Sequence, residues 1–192
     1  MGYYDSEENI KAYIQMAQGY DGAKLIAVLK EYLSPGATLL ELGIGPGKDL
    51  DMLRALYQVT GSDNAQPFID LYERKHQNAD VILIDAVTLD TDRKFDCIYS
   101  NKVLHHLTKN ELQQSFRRQK EVLTEHGLSL HSFWYGSGQE THHELLFTYY
   151  TELDLRQAVG KDFDILRIER YQEMEENDSI YILLKKNSGV VD

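Results

Sequence analysis

A glycine-rich turn joins a short apolar run to a helical pattern near residue 45, and it constrains the fold more than any other feature. Gly43, Gly45 and Gly47 follow the run 37–42. Glycines permit a tight turn and let a ligand lie against bare backbone, and the first amides of a helix have no partner inside it. A ligand site at the end of a strand is therefore indicated, with a purely structural turn as the alternative.

Strand-like and helix-like segments alternate along the chain. Apolar runs at 37–42, 59–63, 81–84, 95–99 and 128–134 predict strands, and the run at 81–84 is continuous, as in a strand covered on both faces. Between them lie helical patterns, including a helix that starts at a capping box on Thr108 and is predicted to end at Gly127. A second box-like start at Thr151 opens a short helix that Gly160 ends.

The last two runs, 163–171 and 179–185, are separated only by a polar loop and predict an antiparallel hairpin. The sequence therefore predicts an α/β, Rossmann-like, doubly wound sheet of seven mostly parallel strands with a C-terminal antiparallel hairpin. We expect one domain over residues 1–192. Helices at about 6–18 and 22–33 would make residues 1–33 an N-terminal extension or lid.

Charge narrows the class of ligand. The chain has 31 acidic and 20 basic residues, a net charge of −11, and its basic residues do not cluster beyond pairs such as Arg117–Arg118. Nucleic acids and anionic membranes are poor partners for such a surface. The sequence has no secretory signal pattern, no apolar stretch of membrane-spanning length and a single cysteine, Cys97. We expect a cytoplasmic protein with a small-molecule partner; the sequence leaves its oligomeric state open.

Acidic residues close consecutive predicted strands. Asp63 ends the second strand, where a carboxylate accepts hydrogen bonds from both hydroxyls of a ribose, and Asp85 follows the third, where it would accept from an adenine amino group. The fourth strand ends in Ser100 and Asn101. Each acid alone has an equal alternative as a cap or turn residue, but their joint occurrence at strand ends favours a nucleoside site.

Glu41 separates two nucleotide classes, because it lies two residues before Gly43. A carboxylate there repels the diphosphate of a dinucleotide such as NAD. S-adenosylmethionine has no phosphate, and its ammonium and sulfonium groups are attracted by carboxylates. The acidic turn therefore favours S-adenosylmethionine over NAD.

Over about residues 22–186 the chain resembles the class I S-adenosylmethionine-dependent methyltransferases. The matching segments are Leu40–Gly47, Gly61–Asp63, Ile84–Ala86 and Phe95–Leu107, together with the terminal hairpin. One element departs from part of that family. Relatives that methylate exocyclic or amide nitrogens often carry Asn/Asp-Pro-Pro-aromatic after the fourth strand, whereas this chain has Ser100–Val103, which disfavours adenine-N6 or glutamine-amide acceptors.

The resemblance also implies roles for individual residues. The methionine part of S-adenosylmethionine would lie at Glu41, Gly43 and Gly45, the ribose at Asp63, and the adenine between Asp85 and Ala86. Ser100 and Asn101 would present backbone near the sulfonium. The remaining predicted cofactor-binding residues are Gly47, Asn64 and His106.

The acceptor side is less constrained. Methyl transfer is an in-line displacement that alignment and desolvation accelerate, so a general base is needed only if the nucleophile must lose a proton. His105 and His106 are the candidate bases, with core packing as the alternative. Aromatic residues of the N-terminal extension and around the loop 136–146 predict a pocket cover, with core packing as the alternative: Tyr3, Tyr4, Tyr13, Tyr20, Phe133, Trp134, Tyr135, Phe147, Tyr149 and Tyr150. Of these, Tyr13, Tyr20, Trp134, Tyr135 and Tyr150 are the predicted pocket residues.

A histidine pair in the same loop raises the question of a metal. His142 and His143 lie beside Glu140 and Glu144, where metal binding is conceivable but a solvated loop is favoured, and we predict no metal. The sequence thus predicts methyl transfer to a small-molecule acceptor. The alternatives are a catalytically silent S-adenosylmethionine-binding protein, an NAD-dependent oxidoreductase, and a protein methyltransferase.

Overall fold

A seven-stranded sheet lies at the centre of the computed structural model, which describes residues 7–16, 19–142 and 145–187. Its strands are β1 (Thr38–Leu42), β2 (Gln58–Asp63), β3 (Val81–Leu83), β4 (Phe95–Asn101), β5 (Leu123–Trp134), β8 (Phe163–Tyr171) and β9 (Ser179–Lys186), and a separate pair is formed by β6 (Gln139–His142) and β7 (Leu145–Thr148). The helices are α1 (Glu7–Met16), α2 (Ala23–Lys30), α3 (Lys48–Arg54), α4 (Gln66–Lys75), α5 (Lys109–Val122) and α6 (Glu152–Val159), with a 3-10 turn at Leu104–His106.

The strand order is β3-β2-β1-β4-β5-β9-β8. Strands β3, β2, β1, β4 and β5 are parallel, and β9 runs antiparallel between β5 and β8. This confirms the predicted sheet and its terminal hairpin. The chain leaves β1 toward β2 on one side and reaches β4 on the other, and the crevice at such a reversal is where open α/β sheets bind ligands.

Side-chain alternation along β1 divides the core into two layers. Leu39 lies in a buried cluster with residues of α2 and α3, whereas Leu40 lies in a cluster with residues of α5 and α6. Both are fully buried, and burial of a leucine contributes about 1.5–3 kcal/mol. Because helices cover both faces, the sheet is doubly wound.

Two local predictions were wrong. The apolar run 81–84 is not covered on both faces: β3 is an edge strand, and Leu83 is 55% exposed. The helix that begins at Thr108 ends at Val122 and not at Gly127, which lies within β5. There the register jumps, since Phe95 pairs with Leu123 and Cys97 with Leu128, so tertiary pairing with β4 overrides the glycine stop signal.

The segment predicted as a loop over 136–146 contains the antiparallel pair β6–β7, called here the hairpin. It packs beside the 3-10 turn, where the Phe147 ring lies 5.2 Å from His105 and 4.8 Å from His106, centroid to centroid. His143 and Glu144 fall outside the described residues. The hairpin thus covers one end of the crevice.

The N-terminal helix α1 packs on the start of α4. Ile10 forms a small cluster with Ala65 and Phe68, and the Tyr13 and Phe68 rings meet edge to face at 5.7 Å. Ser6, Ala17 and Gln18, at the ends of the predicted helix, and Tyr3 and Tyr4 fall outside the described residues. Helix α2 ends at Lys30, three residues before the predicted Leu33. In the described part of the chain, no helix combines the length and apolar character needed to cross a bilayer.

Candidate functional site

The glycine turn after β1 has the backbone geometry that its sequence predicts. Gly43 and Gly47 have φ values of +71° and +87°, a region that side chains disfavour. A Cβ at Gly43 would lie 2.5 Å from Val103 Cγ2, and one at Gly47 would lie 2.3 Å from the Tyr72 ring. Glycine is required at both positions by conformation and by space.

A cleft with two lobes opens at the carboxyl ends of the parallel strands. The inner lobe encloses about 270 Å³ and includes Asp63, Asn64, Asp85 and Ala86. The outer lobe encloses about 470 Å³ and includes Glu41, Asn101, His105 and Trp134. Residues that line both lobes mark their junction: Tyr13, Gly43, Gly45, Lys102, His106 and Leu145.

Glu41 is a buried carboxylate without a full set of partners. It is 3% exposed, and its Oε2 has no hydrogen-bond partner among the described residues. Burial, and then the charges of Asp49 and Asp63, hold the pKa of the Glu41 carboxyl well above its ordinary value. An unpartnered acid on the wall of the outer lobe is costly for the free protein and is suited to a cationic ligand.

Asp63 closes β2 and organises the turn opposite. Its Oδ2 accepts from the Gly45 amide and its Oδ1 from the Ala65 amide, both at 3.0 Å. Burial raises the Asp63 pKa, and the backbone hydrogen bonds oppose that shift. Each carboxylate oxygen accepts more than one hydrogen bond, so Asp63 keeps acceptor capacity toward the inner lobe.

Asp85 and Ala86 line the inner lobe next to Asp63. The Asp85 side chain is exposed, and its Oδ1 accepts from the amides of Val87 at 2.8 Å and Thr88 at 3.1 Å. Asp85 therefore caps a local turn, the alternative that its sequence position left open, while it also borders the lobe where a nucleobase is predicted.

Ser100 and Asn101, at the end of β4, differ in position. The Ser100 hydroxyl is fully buried and lies 2.7 Å from His131 Nδ1, away from both lobes. Asn101 lines the outer lobe, where its Nδ2 donates to Asp49 Oδ2 at 3.1 Å. Burial lowers the pKa of His131 to about 3, so the Ser100–His131 contact is a neutral core interaction.

The two candidate bases have different environments. His105 is 2% exposed, neither of its ring nitrogens has a partner among the described residues, and burial holds its pKa well below the ordinary value. His106 lines both lobes, and its Nδ1 lies 2.7 Å from Leu146 O in the hairpin. Because burial lowers the His106 pKa and a carbonyl only accepts, Nδ1 carries the proton and Nε2 keeps its lone pair.

The predicted aromatic cover is only partly at the cleft. Tyr13, Tyr20 and Trp134 line the outer lobe. Tyr150 is fully buried, with its ring 5.0 Å from Phe133, and the guanidinium of Arg170 lies 3.4 Å from the Tyr135 ring centroid. Neither Tyr135 nor Tyr150 lines either lobe, whereas Phe147 of the hairpin, another of the aromatic residues around the predicted loop, lines the outer lobe.

Two residues at the cleft escaped the sequence analysis. Asp49 is buried on the outer lobe and accepts from the Gly22 amide at 2.7 Å and from the Tyr99 hydroxyl at 2.7 Å. Lys102 lies at the junction, with Nζ 3.6 Å from the Trp134 ring centroid. Their proximity to the cleft follows from contacts distant in sequence, although an acid in the first turn of the helix after a glycine turn was a signal for Asp49.

The histidine pair of the hairpin offers no complete metal site in the part of the chain described. His142 Nε2 lies 3.1 Å from Glu140 Oε2 in an exposed pair. Among the described residues, no three or more histidine, cysteine, aspartate or glutamate side chains form a group that would hold a metal ion. His143 and Glu144, the other half of the predicted cluster, fall outside this range.

The cleft fits a cationic nucleoside better than a phosphate ester. Glu41, Asp49 and Asp63 are buried around the glycine turn, where a diphosphate would be repelled. All the residues predicted to bind S-adenosylmethionine line one or both lobes of the cleft, except Gly47 and Ser100.

Comparison with known sequences supports this assignment. Residues 39–127 match the family model described as a methyltransferase domain. An uncharacterised methyltransferase of Bacillus licheniformis is 31% identical over 121 residues, which cover 60% of this chain and 54% of that protein. The chain therefore spans about half the length of this relative.

Solved structures share the fold over nearly the whole chain. An S-adenosylmethionine-dependent methyltransferase from Clostridium acetobutylicum has a TM-score of 0.76 and 16% identity, and the match covers 94% of this chain and 99% of that chain. The 1,6-didemethyltoxoflavin-N1-methyltransferase of Burkholderia thailandensis, solved with 1,6-didemethyltoxoflavin and S-adenosylhomocysteine, has a TM-score of 0.77 and 19% identity over 96% of this chain and 83% of that chain. At such identities the likeness shows the fold alone. Residues 39–127 therefore match a methyltransferase domain, and the chain has the fold of these S-adenosylmethionine-dependent methyltransferases.

Proposed function

We propose that this protein transfers a methyl group from S-adenosylmethionine to a small-molecule acceptor by in-line displacement. The observation that carries the proposal is the buried Glu41 on the wall of the outer lobe, beside the glycine turn and two other buried acids, Asp49 and Asp63. When bound, S-adenosylmethionine supplies a methyl group on a positively charged sulfur, which is a good leaving group. The chain's residues then bind, orient and desolvate the reactants.

The cofactor residues have complementary roles in this proposal. Glu41 accepts from the ammonium of the amino acid tail, and the glycine turn lets that tail approach the backbone at Gly43 and Gly45. Asp63 accepts from the ribose, with Asn64 beside it, and Asp85 and Ala86 border the adenine. Gly47 shapes the turn, and Ser100 with Asn101 positions the end of β4 near the sulfur.

The acceptor shares the outer lobe with the amino acid tail of S-adenosylmethionine. Trp134 and Phe147 supply flat apolar surfaces in that lobe, which encloses about 470 Å³. The Burkholderia protein is named for a small acceptor, 1,6-didemethyltoxoflavin, which it methylates at N1. His106 Nε2, with its lone pair, would accept a hydrogen bond from the acceptor, whereas both ring nitrogens of His105 are buried without partners among the described residues, so His105 belongs to the wall of the lobe.

The N-terminal segment completes the site. Tyr13 lines both lobes from α1, and Tyr20 lines the outer lobe. We propose that residues 1–33 act as a cover on a single domain of residues 1–192. In this arrangement the cover excludes water from the reacting groups.

Cofactor titration tests the proposal directly. We expect S-adenosylmethionine and S-adenosylhomocysteine, but not NAD, to raise the melting temperature, because a ligand at ~100 times its dissociation constant adds about 2.7 kcal/mol to the free energy of unfolding. Glu41→Gln removes the charge and is expected to weaken S-adenosylmethionine binding at least about tenfold, the factor for 1.4 kcal/mol. Glu73→Gln, an exposed acid on α4, is the matched control.

Two outcomes would contradict the proposal in different ways. Stabilisation by NAD and not by S-adenosylmethionine would indicate an oxidoreductase. Cofactor binding without formation of S-adenosylhomocysteine across a panel of phenols, N-heterocycles, amines and thiols would indicate a catalytically silent binding protein.

A further inference from the structure

Lys102 is a buried cation at the junction of the two lobes. Its Nζ donates to Phe133 O at 3.1 Å and to Ser179 Oγ at 2.6 Å, and it lies 3.6 Å from the Trp134 ring centroid. The backbone of Lys102 has a φ of +55°, which a lysine adopts rarely and at some energetic cost. The fold therefore holds this side chain in one place with three separate contacts.

These contacts suit both protonation states of the amine. A carbonyl accepts only, and Ser179 Oγ donates its own proton to Asp178 Oδ1 at 2.9 Å, so it also accepts from Lys102. Two acceptors satisfy the two N–H groups of a neutral amine and leave the lone pair free. The positive charge of the protonated amine would be stabilised by the nearby ring of Trp134.

The charge of Lys102 changes near neutral pH. Burial lowers the pKa of Lys102 to about 7, and the charges of Glu173 and Asp178, on the loop between β8 and β9, oppose the shift. The Tyr171 ring of β8 lies 5.3 Å from Nζ, and His105 faces Lys102 from the 3-10 turn. Lys102 is thus neutral in a large fraction of molecules at neutral pH, unlike an ordinary lysine.

We propose that Lys102 is the general base that takes the proton which the acceptor loses during methyl transfer. The inference rests on the proposed function. An electron pair of the acceptor atom forms the bond to the methyl carbon, the sulfur–carbon pair stays on sulfur, and the acceptor's proton moves to the lone pair of Nζ. The net positive charge of the cleft is conserved, since the cation leaves sulfur and reappears on Lys102.

Neither histidine stabilises a transferred proton as well. The His105 nitrogens have no partner among the described residues, and the cation of His106 would have the Leu146 carbonyl alone on its Nδ1 side. An ammonium at Lys102 has a carbonyl, a hydroxyl and an indole face, with two acids nearby. The acceptor class that follows is a compound with a hydroxyl or ring N–H group. This group keeps its proton at neutral pH and loses it as the methyl group is transferred.

This assignment has a consequence that needs no acceptor to be measured. An ammonium at the junction repels the sulfonium of S-adenosylmethionine but not the neutral sulfur of S-adenosylhomocysteine. S-adenosylmethionine therefore selects neutral Lys102, and linkage requires that raising the pH strengthens its binding relative to the product. The two ligands carry the same amino acid tail, whose amino group also titrates in this range, so the effect of Lys102 on the ratio of their dissociation constants is the difference between the wild type and a variant without the amine.

The test is calorimetric titration of both ligands between about pH 6 and about pH 9. For the wild type we expect the ratio of the S-adenosylmethionine to the S-adenosylhomocysteine dissociation constant to fall about tenfold over this range, the factor for a coupling of one pKa unit. Lys102→Met should remove this fall. Lys102→Arg should keep it high throughout, since arginine stays charged.

Controls separate a role of Lys102 from a role of His106, from misfolding of a variant and from failure of the proposed function. His106→Gln should retain the pH dependence of the ratio, and circular dichroism checks that each variant folds. A flat ratio in the wild type, or an unchanged pH dependence in Lys102→Met, would overturn the assignment of Lys102. If the wild type binds neither ligand at any pH, the proposed function fails instead.

Discussion

At the scale of single residues, the two carboxylate oxygens of Asp63 hold the glycine turn by hydrogen bonds, and the same two oxygens are the predicted contacts for the ribose. Each oxygen already accepts one backbone amide, from Gly45 and from Ala65. Asp85 uses one oxygen for a local turn at the surface. A ligand contact at Asp63 is therefore tied to the shape of the glycine turn, whereas one at Asp85 is not.

Asp63→Asn tests this difference. The amide loses one acceptor and presents N–H groups to a backbone N–H, so we expect the free energy of unfolding to fall by roughly 1–3 kcal/mol and cofactor binding to weaken. Asp85→Asn is the matched change at an exposed side chain and should shift stability by no more than about 0.5 kcal/mol. Urea unfolding and calorimetric titration measure both effects, and equal losses in the two variants would contradict the assignment.

At the scale of elements, Asp49 of α3 joins three parts of the chain at the cleft. It accepts from the Gly22 amide before α2, from the Tyr99 hydroxyl of β4 and from Asn101 Nδ2 at the end of β4. The joint is tight, because a Cβ at Gly22 would lie 2.1 Å from Tyr99 Oη. The N-terminal segment is thereby positioned against the strand ends that line the outer lobe.

Asp49→Asn is expected to loosen this joint. An amide supplies one acceptor oxygen in place of two charged ones, so we expect a loss of roughly 1–3 kcal/mol in the free energy of unfolding and weaker S-adenosylmethionine binding. Asp51→Asn is a control on the same helix, since Asp51 accepts from the Tyr72 hydroxyl outside both lobes. If Asp51→Asn weakened cofactor binding as much, the joint at Asp49 would have no special part in the site.

At the scale of the whole molecule, the net charge of −11 and the acids of the cleft have the same sign. A negative protein attracts a cation over distances comparable to the Debye length, which falls from about 10 Å at 0.1 M salt to about 3 Å at 1 M. We expect S-adenosylmethionine binding to weaken with salt more than S-adenosylhomocysteine binding. Titrations near pH 9, above the Lys102 pKa of about 7, isolate this effect, and an equal salt dependence would contradict it.

Local patterns predicted much of the architecture. The alternation of Leu39 and Leu40 between two faces and the hydrophobic runs are properties of short segments, and so is the glycine turn, where Gly43 and Gly47 adopt positive φ. Predictions from short segments were wrong at two places. Strand β3 lies at the sheet edge and Gly127 lies within β5, because neighbouring strands, rather than the segment itself, determine those outcomes.

By itself the sequence determined the order of the strands of the central sheet and of the helices between them, the turn after β1 and the acids that follow successive strands, because each depends on residues close together in the chain. Only the tertiary structure decided which side chains share the cleft. It buried Tyr150 in the core, brought Phe147 over the histidines and placed Lys102 against Ser179, 77 residues away. Contacts at that separation follow from how the elements pack, and no local pattern encodes them.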